Sequence, residues 1–372
     1  MKYYIVAGER SGDLHGGNLV HALRKYDPAA ELKGFGGDEM QRAGVVLSVH
    51  YRELAFMGFI SLTTSLYKIF KFMSFCKRDV LAFKPDAVIL IDYGGFNLKI
   101  ARFAKSNGIP VLYYITPKVW AWYQSRAWKL KANVDRMFVI LPFEKDFYKK
   151  YDFDVDYVGN PVVDAIKTHT LNSDFISKHG IAQDKKLVAL LPGSRKIELK
   201  LIVPRMAEIA ATNPNVQFVV ASVSNLPGDL YNALKRKPNV KFVENETYDL
   251  LSYAHAAIVT SGTATLETAL FKVPQVVVYK TNGLEYFIAS SLVKVKYISL
   301  VNLIAGKEVI KELIQSNATP ELLQTELHKL LNDAPYISSI KAEYEKLFHL
   351  LDTGSASDNT ARLMTEHLNN VV

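Results

Sequence analysis

Cysteine is nearly absent. The 372 residues contain one, Cys76, so no internal disulfide can form and the chain fits a reducing compartment. Long apolar runs are missing too: none approaches the roughly 18 uninterrupted residues that a membrane span needs. The opening "MKYYIVAGER" enters a short strand at once, without the apolar core and small-residue cleavage site of a secretory signal. A cytoplasmic protein is the expectation. There is no G-x-x-x-x-G-K-[ST] loop and no G-x-S-x-G elbow, which argues against P-loop and serine-hydrolase chemistry. The nine histidines are scattered and no carboxylates show ligand spacing, so no metal and no cofactor is expected.

What is present describes a folded globular chain: 49% hydrophobic residues and a mean hydropathy of +0.04. Its length accommodates two α/β domains. The formal charge of +8 calls for an acidic partner, whether nucleic acid, nucleotide or anionic membrane.

Short apolar runs alternate with helical patterns. "KYYIVAG" (2–8), "DAVILID" (86–92), "IPVLYYIT" (109–116) and "RMFVILP" (136–142) read as buried strands. The pattern restarts at "KLVALLPG" (186–193) and continues through "NVQFVVAS", "VKFVE", "AAIVTSG" and "PQVVVYK". Continuous apolar strands separated by helices predict parallel, doubly wound sheets. Two such blocks, joined near "YVGNPVVDAI" (157–166), predict twin Rossmann-like domains facing one cleft, divided at about 163/164.

Ligands of open parallel sheets gather at the carboxyl ends of strands, which directs attention to the strand-to-helix turns. "AGERSGDLHGG" combines several glycines with Glu9, Ser11, Gly12 and Asp13; it reads either as a capped connector or as a sugar or hydroxyl site. Asp92, where "LIDYGGFN" leaves its strand, reads as a helix cap or as a base exposed at the sheet rim. In "LLPGSRKIELK", Gly193 and Ser194 turn into a helix with Arg195 in its first turn. A cation there is unfavourable unless an anion is shared, which favours a phosphate ligand. "VTSGTATLET" offers Ser261, Gly262 and Thr263 as a second anion cradle, with Glu267 one turn on to meet a ribose diol. Two cradles and one arginine in the same half point to a diphosphate.

Residues 61–83 read as an amphipathic helix with Leu62, Leu66, Ile69, Phe70, Met73, Cys76 and Val80 on the core face. Phe75, between Lys68 and Lys71, falls opposite; Phe72 lies at the edge, and Phe59 and Ile60 just precede the helix. Aromatics among lysines suit an anionic bilayer surface or an acyl-chain groove; scattered surface rings or a dimer contact are the plainer alternatives. "TPKVWAWYQSRAWKLK" gathers all three tryptophans with basic residues, a pattern compatible with bases, sugars or a membrane surface.

Together these stretches resemble the lipid-A-disaccharide synthase family, over nearly the whole chain. "GERSGD", "ELAFMG", "VWAW", "LPFEKDFY", "LPGSR", "SGTATLE" and "VNLIAGKE" follow in the family's order. The resemblance implies an inverting, metal-independent glycosyltransferase of GT-B architecture. Its substrates would be a UDP-linked 2,3-diacylglucosamine and 2,3-diacylglucosamine 1-phosphate, and its products UDP and a β-1,6-linked disaccharide phosphate. It also implies work at the anionic inner-membrane surface as a peripheral protein and no nucleic-acid partner, and it leaves a homodimer open. The family's base, the first Asp of Ile-Asp-x-Pro-Asp-Phe-Asn, matches Asp92, with Glu9 nearby in the opening motif. This chain reads Ile-Asp-Tyr-Gly-Gly-Phe-Asn, so Gly95 replaces the second Asp. Arg195 and Asn302 match positions important for the nucleotide and for activity. Arg10 stands where a smaller residue is usual, and Val301 where Pro is usual. Folds of this kind return their C-terminal helices to the first domain, here expected for 346–372. The rival readings are another sugar-nucleotide enzyme, such as a UDP-GlcNAc epimerase, and a non-catalytic RNA- or membrane-binding protein.

Overall fold

The computed structural model describes residues 1–55, 62–224, 226–282 and 295–370, with side chains described from Ile69 onward in the helix Leu62–Phe83. The chain divides into two compact units, residues 1–161 with 352–372, and residues 162–351.

The first unit carries β1 (Lys2–Ala7), β2 (Glu31–Gly36), β3 (Val46–His50), β4 (Ala87–Ile91), β5 (Val111–Tyr114), β6 (Arg136–Val139) and β7 (Asp156–Tyr157). They form one parallel sheet in the order β3-β2-β1-β4-β5-β6-β7, with Ile5 in register with Gly34 on one side and Ile89 on the other. Every residue of β4 is buried, as is β1 from Tyr3 onward, because helices cover both faces of the sheet. The core takes Leu19 and Leu23 from the helix Arg10–Tyr26 and Ala361, Met364 and Leu368 from the helix Ala356–Asn369. These two helices also meet at Asp358, which accepts from Lys25 Nζ and Tyr26 Oη, both at 2.8 Å.

The second unit repeats the plan with β8 (Lys186–Leu191), β9 (Val216–Ser222), β10 (Val240–Glu244), β11 (Ala256–Thr260), β12 (Gln275–Tyr279) and β13 (Glu312–Ile314). Its parallel sheet runs β10-β9-β8-β11-β12-β13. The nine apolar runs read from sequence all lie on strands. Of the four strands not read, β2 is interrupted by charge and glycine, β3 (VLSVH) is mostly half-buried or exposed and carries Ser48 and His50, and β7 and β13 are only two and three residues long. The helix Ala334–Leu351 stays with the second unit and the return begins at Asp352, six residues after the expected 346, because that helix is unbroken to Leu351.

Candidate active site

In each sheet the chain winds outward through three strands and then restarts beside the first: β4 next to β1, β11 next to β8. Such switch points open a crevice beyond the carboxyl ends of the strands, where ligands bind. Glu9 follows β1 and Asp92 follows β4; Gly193–Arg195 follow β8 and Ser261–Thr263 follow β11.

At the first rim Asp92 and Tyr93 occupy consecutive left-handed conformations, φ 48° and 50°. Non-glycine residues pay for that backbone in strain, so surrounding contacts must hold it. The Asp92 carbonyl accepts from Asn97 Nδ2 at 2.8 Å and from Tyr113 Oη at 2.7 Å, while its N–H donates to the Tyr114 and Ile115 carbonyls at 3.2 and 3.1 Å. Asn97 itself is fully buried, and its amide also donates to Val6 and Ile91. At this kink the Asp92 side chain is half-buried. Burial raises its pKa above the ordinary carboxylate value, opposed by a hydrogen bond from the Tyr93 backbone and by the Lys118 charge. A raised pKa makes a stronger base, nearer to neutrality.

Glu9 stands at the N-cap of the helix Arg10–Tyr26 and is exposed. Its charge, after burial, raises the pKa of Tyr93, so Glu9 shares this rim with Asp92. Gly8 permits the approach: a Cβ there would lie 2.3 Å from the Tyr93 ring. Ser11 is exposed and Gly12 buried. Asp13 is 2% exposed and faces elsewhere, accepting from the amides of Gly37, Glu39 and Met40 at 2.7, 3.1 and 3.0 Å. It holds the start of the helix Asp38–Arg42, a structural engagement.

At the second rim Arg195 occupies the N-cap of the helix Lys196–Thr212, one position before the first turn expected for it. Its side chain is 78% exposed. The amides of Ser194 and Arg195 donate to Glu198 Oε2 at 3.0 and 3.2 Å, so the helix start already holds a carboxylate of its own. Gly193, at φ 105°, leaves room for it; a Cβ would lie 2.3 Å from that same oxygen. Ser261 donates its hydroxyl to the Ile298 carbonyl at 2.9 Å, and Gly262 caps the helix Thr263–Leu270, whose Thr263 is exposed. Glu267 accepts from Tyr248 Oη at 2.9 Å, and burial raises its pKa. Asn302 is fully buried. Its amide donates to Ile310 O and Glu312 Oε1, both at 2.9 Å, and its oxygen accepts from the Val309 and Ile310 amides. It shapes the turn into β13 with every polar atom engaged.

The family model for lipid-A-disaccharide synthetase matches residues 3–366. The lipid-A-disaccharide synthase of Syntrophus aciditrophicus is 42% identical over 355 residues, covering 94% of this chain and 92% of the relative. That of Coxiella burnetii (strain Dugway 5J108-111) is 36% identical, covering 97% and 96%. The chain belongs to the lipid-A-disaccharide synthetase family. Among solved structures, UDP-GlcNAc 2-epimerase from Neisseria meningitidis bound to UDP-GlcNAc superposes with a TM-score of 0.68 at 15% identity, each chain covered fully. A glycotransferase of kitacinnamycin gives 0.64 at 14% identity, with 99% of each chain covered. These likenesses establish the GT-B fold alone.

As a member of this family the chain carries side chains at its rims that sequence reading passed over. Glu198 follows Arg195 at capping-box spacing, a legible signal. Asn97 closes the same Ile-Asp-Tyr-Gly-Gly-Phe-Asn stretch as Asp92, five residues on, so its place was legible though its role was not; Tyr248 gave no signal, since only the fold brings it to Glu267. The aromatic helix differs from expectation. Met73, Cys76 and Val80 are buried, but Phe70, placed on that face, is 62% exposed. At 100° per residue it lies about 120° round from Cys76, past the edge of the stripe. Phe75, expected outside, is indeed exposed, at 37%, while one side of its ring stacks on buried Phe35 with ring centroids 6.1 Å apart. Phe72 is half-buried and Lys71 exposed. Phe59, Ile60 and the Lys68 side chain lie outside the described residues. Among the described residues, no helix is long and apolar enough to cross a membrane, and no group of three or more His, Cys, Asp or Glu could hold a metal ion.

Proposed function

We propose that this protein transfers a 2,3-diacylglucosamine unit from its UDP derivative to the 6-hydroxyl of 2,3-diacylglucosamine 1-phosphate. The observation that carries the chemistry is the strained, half-buried Asp92 at the switch point of the first sheet. Family membership supports the substrates, and Asp92 supplies a base where acceptor chemistry belongs. The acceptor oxygen attacks the anomeric carbon from the face opposite UDP. Its proton passes to Asp92, the bond to the UDP oxygen breaks, and the configuration inverts to β. Glu9 lines the acceptor side. The exposed Arg195 guanidinium meets the departing diphosphate without a metal. The Ser194 and Arg195 amides, engaged by Glu198, are not needed for that contact. The Gly262–Thr263 helix start adds a second positive pole, Glu267 with Tyr248 meets the ribose, and Asn302 keeps the adjoining turn in shape. The exposed Phe70 and Lys71 face supports operation at an anionic membrane surface.

The test is UDP release. Both acylated sugars together are expected to give stoichiometric UDP and disaccharide phosphate, unchanged by a chelator. Conversion of UDP-GlcNAc alone, with no acceptor, would instead mark an epimerase.

A further inference from the structure

One buried carboxyl has no part in that scheme. Glu144, on the helix Phe143–Lys149 after β6, is 2% exposed. Its Oε2 accepts from the Ile140 and Leu141 amides at 3.2 and 2.9 Å. Its Oε1 accepts from the Thr116 hydroxyl at 3.3 Å and the Trp120 indole N–H at 3.2 Å. Tyr148, one turn along the same helix, donates to the Thr116 hydroxyl at 3.4 Å. A single carboxyl thus ties the end of β6 to both ends of the segment Thr116–Trp120.

That segment lies against the Asp92 turn. Asp92 N–H bonds the carbonyls of Tyr114 and Ile115 just before it, and a Cβ on Gly94 would meet Pro117 at 2.7 Å. Ile115 leads into the segment at φ 59°, a strained conformation for a β-branched residue that must be held from outside. Lys118, in the middle, is the cation whose charge favours ionised Asp92.

We propose that Glu144 is a positioning residue: its carboxylate fixes both ends of the Thr116–Trp120 segment, which packs against the Asp92 turn, and thereby keeps the Lys118 ammonium within electrostatic reach of Asp92. The inference rests on Asp92 being the base. A carboxylate suits the task because four donors converge on its two oxygens. Glutamine has the same shape but one acceptor oxygen, so two donors would face its NH2 whichever way it turned. The titratable groups coupled to Glu144 or Asp92 from the neighbouring elements are Tyr148, Tyr157 and Tyr113, besides Lys118, and Tyr93 with Glu9 stands at the same rim. All four tyrosines are kept neutral by burial, which leaves Lys118 as the charge acting on Asp92 and Glu144 itself, pushed up to about 7 by burial, as the group whose ionisation completes the hold on the segment.

Glu144→Gln and Lys118→Met are compared with the unaltered full chain in three measurements: UDP binding, the pH profile of kcat, and backbone amide exchange of residues 116–121 without substrate. Glu144→Gln is expected to bind UDP within a factor of about two and to lose about tenfold in kcat, as misplacement near a reacting group does. Its acid limb should move to higher pH, as in Lys118→Met, and the double variant should lose less than the two singles combined. Exchange in the segment should quicken. If Glu144→Gln proves too unstable, Trp120→Phe, which deletes one donor to the same oxygen, should move the acid limb the same way. An unmoved acid limb together with unchanged exchange overturns the proposal. Should Asp92→Asn turn over normally, the base assignment fails, and exchange alone decides Glu144: quickened supports its hold on the segment, unchanged removes it.

Discussion

Asp92 shows how a single residue is made reactive by its backbone. Two left-handed residues in succession break the chain out of the strand at Asp92, and Asn97 and Tyr113 grip its carbonyl so that the strain persists. Asp92→Asn preserves that grip, which uses only the main chain. Folding and UDP binding should survive while turnover falls about 10²-fold or more; near-normal turnover would move the role to Glu9. Arg195→Ala should weaken UDP binding far more than uridine binding, because the guanidinium meets phosphate. Equal losses for the two ligands would assign Arg195 to the fold or the base pocket. Glu144 makes a prediction about pH. Burial pushes its carboxyl from the ordinary 4.5 up to about 7, so between these values the folded chain binds more protons than the unfolded one. Stability contributed at this site is therefore present at low pH and lost as pH rises from 4.5 through 7. The shift corresponds to about 3 kcal/mol at most. The melting temperature of the unaltered chain relative to Glu144→Gln should accordingly fall between pH 5 and pH 8; a constant gap would mean that Glu144 does not titrate in this window.

Among elements, the helix Leu62–Phe83 joins packing to a surface. Its Met73, Cys76 and Val80 face is buried, and burial pushes the Cys76 thiol up to about 12, so this cysteine is inert. Phe70 is exposed beside Lys99, whose ammonium lies 5.6 Å from the ring centre. If this face docks on anionic lipid, Phe70→Ser should reduce vesicle binding with little change in melting temperature, and salt should weaken the remainder. Phe75→Ser should behave differently, costing about 1–2 kcal/mol of stability through the lost stack on Phe35. Undiminished vesicle binding by folded Phe70→Ser would end the docking proposal.

At the scale of the whole molecule, the chain leaves its first unit after Pro161 and returns at Asp352 to finish that unit's core. Met364 is fully buried beside strand residues far earlier in the chain. Met364→Ala should lower stability by about 2–5 kcal/mol, measured by denaturant unfolding with the transition assigned to the first unit. A loss confined to the second unit's transition would contradict the division.

The central strands were legible because a strand covered on both faces must be apolar throughout, and that leaves an uninterrupted run in the sequence. The turns that follow them were legible for the same reason: the rule that ligands sit at strand ends needs only the order of elements, and it singled out Glu9, Asp92, Arg195 and Glu267. Short edge strands such as β7 and β13 left no such run. What each rim side chain touches was decided by tertiary structure, because a hydrogen-bonding group accepts the nearest partner, however distant in sequence. Asp13 is engaged by amides 24 to 27 residues away and Asn302 by its own turn, whereas the Glu198 hold on the Ser194 and Arg195 amides is local and was open to reading at capping-box spacing. Glu144 reaches Thr116 and Trp120, 28 and 24 residues before it, only because the parallel sheet sets β5 and β6 side by side. Periodicity in a sequence records which face is buried; it does not record which partners the buried polar groups find.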